Sequence, residues 1–405
     1  MNAPLSPSLL SGIAMAPRDP ILGLTEAFNT DRNPKKINLG VGVYYDEDSK
    51  VPLLECVRRA ERLLLDRAAP RGYLPIDGLP AYDRAVRDLV FGADSAAVKE
   101  GRIVTVQALG GTGGLKVGAD FLRSAAPRAG VWISDPSWEN HRGLFENAGF
   151  TVQTYPYYDA KTHGLNSEGT LAALRAMPAG SIVVLHACCH NPTGIDFTPG
   201  QWTAVIDAVL SRGLTPFLDF AYQGFGEGIE ADSAAVRRFV ETGVPVFVSS
   251  SFSKSLSLYG ERVGSLSVVA QDGEEAARVL SQLKRLVRTN YSNPPIHGGQ
   301  VAAIVLTTPE LRALWERELG DMRERIKEMR RQLVDQLRER APRADFRFVL
   351  RQRGMFSYSG LTREQVVRLR EEFAVYMIES GRICVAALNA KNIGYAADCI
   401  ARVIA

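Results

Sequence analysis

The chain has 405 residues, 46% of them hydrophobic and 23% charged, a balance that builds sizeable cores and excludes a disordered chain. At about 150 residues per domain, that length suggests two domains, or three. Lys+Arg 48 against Asp+Glu 45 leave a formal charge of +3, with basic clusters too short for a nucleic-acid face, and no apolar run approaches the roughly 18 residues of a membrane span.

From the amino terminus, an arm over residues 1–19 is rich in Pro and Ser and is expected to pack on another surface or fray. It has no basic side chain before Arg18, and Ser11 and Gly12 interrupt the apolar stretch Leu9–Met15, which argues against a secretory signal. Five cysteines, odd in number and without a CxxC pair, read as reduced thiols of a cytoplasmic protein. The middle of the chain alternates helix-like stretches with short β-branched runs. Strands are predicted at Ile103–Gln107, Val131–Ser134, Ile182–His186, Thr215–Leu218, Val246–Ser249 and Ser265–Val269. Most are almost wholly apolar, as in strands covered on both faces, so the class is α/β with a mainly parallel sheet. A helix is predicted to start with Thr308 as N-cap and Pro309 at its first position. From Leu311 to Leu337 apolar residues recur every three or four positions. Gly320 interrupts that stripe, which favours a pair of helices bridging two domains over a coiled coil. A smaller α+β segment follows, with Arg382–Ala386 near its end and a last helix after it.

In open parallel sheets, ligands bind beyond the carboxyl ends of the strands. Four such ends carry chemistry here: Gly110-Gly111-Thr112-Gly113-Gly114, then His190-Asn191-Pro192-Thr193-Gly194, then Asp219-Phe220-Ala221-Tyr222, then Ser251-Phe252-Ser253-Lys254. A glycine loop opening a helix offers backbone N–H groups to an anion. It matches neither GxGxxG nor GxxxxGK[ST], so dinucleotide and P-loop readings lose their support. A carboxylate at the end of an apolar strand caps the next helix or meets a cation, because an unpaired buried charge is too costly. Lys254 lies eight residues before Arg262. A lysine is ordinarily solvated, but an amine in such surroundings has a lowered pKa and forms Schiff bases, while Ser251 and Arg262 suit a phosphate. Phosphate cradle, ring-nitrogen carboxylate and Schiff-base lysine are what pyridoxal phosphate demands of a protein.

Six segments together carry a resemblance: Asn38-Leu39-Gly40-Val41-Gly42, Tyr73-Leu74-Pro75-Ile76, His190–Gly194, Asp219–Gly224, Ser251–Lys254 and Ser380-Gly381-Arg382. In this order, from about Pro20 to the carboxyl terminus, they resemble the class I (fold type I) pyridoxal-phosphate aminotransferases, and within them the bacterial aspartate and aromatic amino acid enzymes. The resemblance implies a large domain, 48–320, whose mainly parallel seven-stranded sheet is flanked by helices, and a smaller α+β domain from 20–47 and 321–405. It implies that Lys254 holds the cofactor and moves the proton, that Asp219 pairs with the ring nitrogen, and that Asn191 and Tyr222 hydrogen-bond the phenolic oxygen. Trp138 would stack on the ring, with ordinary core packing as the plainer reading. His141 and His186 would steady Asp219 rather than ligate a metal; no metal site is expected. Gly111, Thr112, Ser251 and Arg262 would hold the phosphate, with Tyr73 reaching in from the second subunit of a homodimer. Arg382 would fork onto the substrate α-carboxylate beside Gly42, Trp138 and Asn191. Arg288, which could equally be a solvated arginine beside Lys284 and Arg285, would come from the partner to the side-chain carboxylate.

The implied reaction is transamination between an aromatic L-amino acid (tyrosine, phenylalanine, and aspartate as well) and 2-oxoglutarate, giving the 2-oxo acid and L-glutamate. The Gly-Gly-Thr cradle and Gly42-Val43-Tyr44-Tyr45-Asp46-Glu47 resemble the aromatic subgroup, with an apolar lining expected from Val41, Val43 and Ile21 or Leu22. A strict aspartate aminotransferase is the alternative. A pyridoxal-binding transcription regulator would need a DNA-binding module longer than the twenty or so residues ahead of the match. A β-lyase or decarboxylase is a further alternative that fold alone does not exclude; the two substrate arginines argue against it, since a dicarboxylate clamp suits transamination with glutamate.

Overall fold

The computed structural model describes residues 8–16 and 21–405, without the side chain of Leu22. The remainder of the expected arm, and Pro20 at the expected start of the smaller domain, lie outside the described residues; within 8–16, Leu9, Leu10, Ile13 and Met15 are exposed. The centre of the molecule is a seven-stranded sheet: β1 (Ile103–Leu109), β2 (Val131–Asp135), β3 (Val152–Pro156), β4 (Ile182–His186), β5 (Thr215–Phe220), β6 (Val246–Ser251) and β7 (Val263–Val269). Their spatial order is β1-β7-β6-β5-β4-β2-β3, with β7 alone antiparallel to its neighbours. Both faces are buried, and the period of two divides them. Val183, Leu185, Leu218 and Val248 belong to one core; Ile182, Val184, Phe217 and Phe247 belong to the other.

The six strands expected from sequence are all present, and all but β4 run further than expected: β1 to Leu109, β2 to Asp135, β5 to Phe220, β6 to Ser251, and β7 from Val263. β5 continues through Asp219 to Phe220 and β6 through Ser251, because Asp219 pairs in register with Ser249 and Phe220 with Ser250. The seventh, β3, was not among those read strand by strand. It is an edge strand on β2 that buries Val152 and Tyr155 and exposes Gln153 and Thr154, so its apolar signal is broken.

Helix α1 (Gly110–Ala125) leaves β1 directly and packs on the sheet through Gly114 and Gly118. A Cβ at Gly114 would lie 2.5 Å from the Ser265 carbonyl oxygen, and one at Gly118 would lie 2.5 Å from the Phe217 ring. Helix α2 (Glu139–Asn147) follows β2, and α3 (Gly273–Asn290) follows β7. The expected pair of bridging helices is instead one helix, α4 (Pro309–Arg340), of 32 residues. Thr308 is its N-cap residue, but without a side-chain capping bond. Gly320 does not break α4: a helical glycine costs only about 1 kcal/mol. Leu311, Trp315, Leu319, Met322 and Ile326 bury one continuous stripe across it. Beyond α4, β8 (Phe356–Tyr358) pairs antiparallel with β9 (Arg382–Cys384), and the final helix, Ile393–Ile404, packs back on α4.

Candidate active site

The carboxyl ends of β1, β2, β4, β5 and β6 converge on a cavity of about 190 Å³, closed from the other side by Gly42, Phe356 and Arg382. Gly111, Thr112, Trp138, Asn191, Asp219, Tyr222, Ser251, Lys254 and Arg262 all line it. Sequence separations of up to 340 residues thus collapse into one hollow, because each residue ends or follows a strand of a single sheet or sits on the segment that covers it.

Asp219 pairs in register with His186 on β4. Its carboxylate accepts a 2.9 Å hydrogen bond from His141 Nε2, whose Nδ1 accepts one from the Ser137 hydroxyl. Burial works to raise the Asp219 carboxyl, but the His141 bond and the nearby Lys254 charge hold it below the usual carboxylate range. His186 is buried with neither ring nitrogen hydrogen-bonded, 5.1 Å from the His141 ring and 4.3 Å from that of His190. Burial drives its pKa well down, so the imidazole is neutral. The fold thereby gathers His141, His186 and Asp219 within 4.8 Å of one another, a grouping that their sequence spacing does not reveal.

Lys254 is partly buried, with Nζ 5.6 Å from the Tyr222 ring centroid and 6.0 Å from that of Tyr259. Burial pushes its amine down to about 8; Asp219 pulls it back up, and Arg262 opposes that. The positive φ of Arg262, 53°, turns its guanidinium toward the start of α1, where Nη1 donates to the Tyr259 carbonyl and the Ser253 hydroxyl. A Cβ on Gly110 would lie 2.5 Å from Arg262 Nη2, and one on Gly111 would lie 3.2 Å from Ser251 Cβ. The glycines are what let guanidinium, hydroxyl and helix N-terminus share one concave wall, an anion cradle by geometry and charge.

Arg382 is 1% exposed. Its Nη1 donates to Asn191 Oδ1 at 3.0 Å, its Nη2 donates to the Gly40 carbonyl at 2.8 Å, and Glu139 lies 3.7 Å away. Its guanidinium sits 4.4 Å from the Phe356 ring centroid, while its buried Nε has no hydrogen-bond partner among the described residues. A Cβ at Gly42 would come within 2.8 Å of Phe356 Cζ, which is why that position lacks a side chain. Trp138 lies at the head of α2, edge-on to His141.

Two expected residues do not reach this cavity within the chain. Tyr73 is 95% exposed, and Arg288 is exposed at the end of α3, where it donates to the Ser292 hydroxyl. The apolar lining also differs from expectation. It comes from Ile21, Leu115, Ala221 and Phe356, and not from Val41 or Val43, while the Leu22 side chain lies outside what is described. Phe356 was missed altogether. It stands in an unremarkable Gly-Met-Phe-Ser run, and only the β8–β9 pairing, which sets it opposite Cys384 near Arg382, brings it to the site.

The family model for aminotransferase class I and II matches residues 34–400. An aspartate aminotransferase of Pseudomonas aeruginosa is 60% identical over 98% of this chain and 100% of its own length. An aromatic-amino-acid aminotransferase of Escherichia coli is 53% identical over 95% of this chain and 98% of its own. Among solved structures, the aromatic-amino-acid aminotransferase from Burkholderia pseudomallei, covalently bound to pyridoxal phosphate, is 62% identical and superposes with a TM-score of 0.96. It covers 98% of this chain and 100% of that one.

Proposed function

This chain belongs to the class I and II aminotransferases, and on that premise we propose that it transfers amino groups between an aromatic L-amino acid and 2-oxoglutarate, accepting aspartate as well. The observation that carries this reading is one cavity lined by a partly buried lysine of depressed pKa, a buried ionised carboxylate and a buried arginine fork. The residues present fit pyridoxal phosphate. The cradle of Gly111, Thr112, Ser251 and Arg262 suits its phosphate, Asp219 its ring nitrogen, Asn191 and Tyr222 its phenolic oxygen, Trp138 its ring face and Lys254 its aldehyde. When bound, that cofactor supplies an aldehyde that condenses with amines and a ring that withdraws electrons from the attached carbon.

The chain's own groups do the rest. The Lys254 amine, unprotonated above about pH 8, takes a proton from the substrate α-carbon and returns it elsewhere. Asp219, held ionised by His141, would hold the cofactor's ring nitrogen and favour its protonated form. Arg382 binds the α-carboxylate by two parallel hydrogen bonds, exchanging its Asn191 contact for the substrate. Phe356, Ile21 and Leu115 offer an apolar wall that accepts an aromatic side chain without stranding a charge.

The proposed molecule is a homodimer in which Tyr73 and Arg288 complete the partner's site, a reading supported by their exposure and by neither lining its own chain's cavity. Its large body is 48–320; the smaller joins 20–47 to 321–405, with α4 running across the division. A cytoplasmic location is supported by five free cysteines and by the lack, among the described helices, of one long and apolar enough to cross a membrane.

A strict aspartate aminotransferase is the second reading, favoured by the name of the 60% identical Pseudomonas relative. The experiment adds L-phenylalanine or L-aspartate separately to purified holoenzyme, without oxo acid, and follows loss of the cofactor's absorbance. Bleaching by both is expected. Bleaching by aspartate alone replaces the first reading with the second.

A further inference from the structure

A second cavity, of about 450 Å³, lies between α4, the turn Arg347–Arg351 with the residues after it, and the loop 225–227 that follows β5. It shares no lining residue with the cavity that holds Lys254. Five cationic side chains line it: Arg323, Lys327 and Arg330 from α4, and Arg351 and Arg353. Against them stands one lining carboxylate, Glu227, 3.5 Å from Lys327 and 3.3 Å from Arg353. Glu324 pairs at the rim with Arg323 and Lys327, and the Asp232 oxygens are taken by the amides of Gly224, Gly226 and Glu227. Positive charge remains in excess.

A row of solvated surface charges would look similar except for Arg330. It is 3% exposed and has no carboxylate partner. Nε donates to the Ser357 hydroxyl, and Nη2 donates to the carbonyls of Gly354 and Phe356. Nη1 makes no hydrogen bond among the described residues, although the residue lines the cavity. A buried guanidinium that meets only neutral acceptors leaves its charge uncompensated, and burial pushes its pKa down to about 10.

We propose that this cavity binds a small polyanion, of phosphate or polycarboxylate chemistry, which displaces Glu227 from Lys327 and Arg353 and faces Arg330. Planar guanidiniums from two elements, converging on a concave surface, are suited to bidentate oxyanion recognition.

The test is calorimetric titration of the holoenzyme with inorganic pyrophosphate and, separately, with citrate, at fixed ionic strength. It compares the natural chain with the double variant Lys327→Met, Arg353→Met. Both substituted residues are half-exposed and outside the cavity of Lys254, so turnover persists in the variant. With the cofactor cradle filled in the holoenzyme, one pyrophosphate per chain is expected, weakened at least about tenfold in the variant, roughly one charge-assisted contact. Citrate can also enter the active site through Arg382, so only its variant-sensitive binding counts; such binding with none of pyrophosphate assigns the site to polycarboxylates. Equal affinity of natural chain and variant for both anions, or no variant-sensitive binding up to about 10 mM, overturns the proposal.

Discussion

Lys254 shows how environment converts an ordinary side chain into a reagent. Its amine, at about 8 instead of 10.5, carries a proton below that pH and sheds it above, so nucleophilicity should rise through pH 8. In cofactor-free protein, modification of Lys254 by a small acylating reagent is expected to accelerate with a midpoint near that value; a midpoint near 10.5 would show that burial does not act as argued. Lys254→Ala should lower turnover by at least about 10³-fold, since it removes the proton carrier and the amine together, while circular dichroism stays unchanged. Retained activity would refute the mechanism. Arg382→Lys should raise KM about ten- to a hundredfold through loss of the fork, each charge-assisted bond being worth roughly 1.5–3 kcal/mol. Lys254 and Asp219 were legible because their polar chemistry sits where a strand pattern ends, and Arg382, which opens β9, because Ser380-Gly381-Arg382 carries part of the resemblance. Phe356 was not: an apolar residue in a short strand has no local mark of function, and its place under Arg382 arises only from the β8–β9 register.

At the scale of elements, glycine carries opposite meanings in two helices. In α4, a Cβ at Gly320 would meet only Arg323 Nη2, at 3.6 Å, with helical backbone on either side. Gly320→Ala is therefore expected to stabilise the chain by roughly 0.5–1 kcal/mol, read as a higher denaturant midpoint at unchanged slope. In α1, Gly114→Ala would press a methyl onto the Ser265 carbonyl and the Ser249 hydroxyl, both at 2.5 Å. It should destabilise by about 1–3 kcal/mol in the same measurement. Sequence alone read Gly114 as part of an anion-binding loop and not as a packing residue. It read Gly320 as a break because an interruption in periodicity is visible and the buried stripe that overrides it is a tertiary fact. The same limit hid β3, whose two exposed polar positions at the sheet edge dilute the apolar run, whereas the other six strands announced themselves by near-continuous burial.

For the whole molecule, the decisive question is whether one chain makes a complete site. Lys254, Asp219, Arg382 and the proposed cradle of Gly111, Thr112, Ser251 and Arg262 line one cavity within a single protomer, yet Tyr73 points into solvent and Arg288 sits exposed on α3. A C2 dimer in which each protomer lends these two residues to the other predicts complementation. Take Lys254→Ala and Arg288→Ala separately, each with little activity toward dicarboxylic substrates, then mix them and allow subunits to exchange. In hybrid dimers one site receives both lesions and the other receives neither. With random exchange, about half the dimers are hybrids and each has one intact site in two, so activity should recover to about a quarter of the natural enzyme's. If Arg288 acted within its own chain, every site in the mixture would keep one lesion, and no recovery would follow. Light scattering must show the same dimer mass before and after mixing, so that the recovered activity reports shared sites and not a change of assembly.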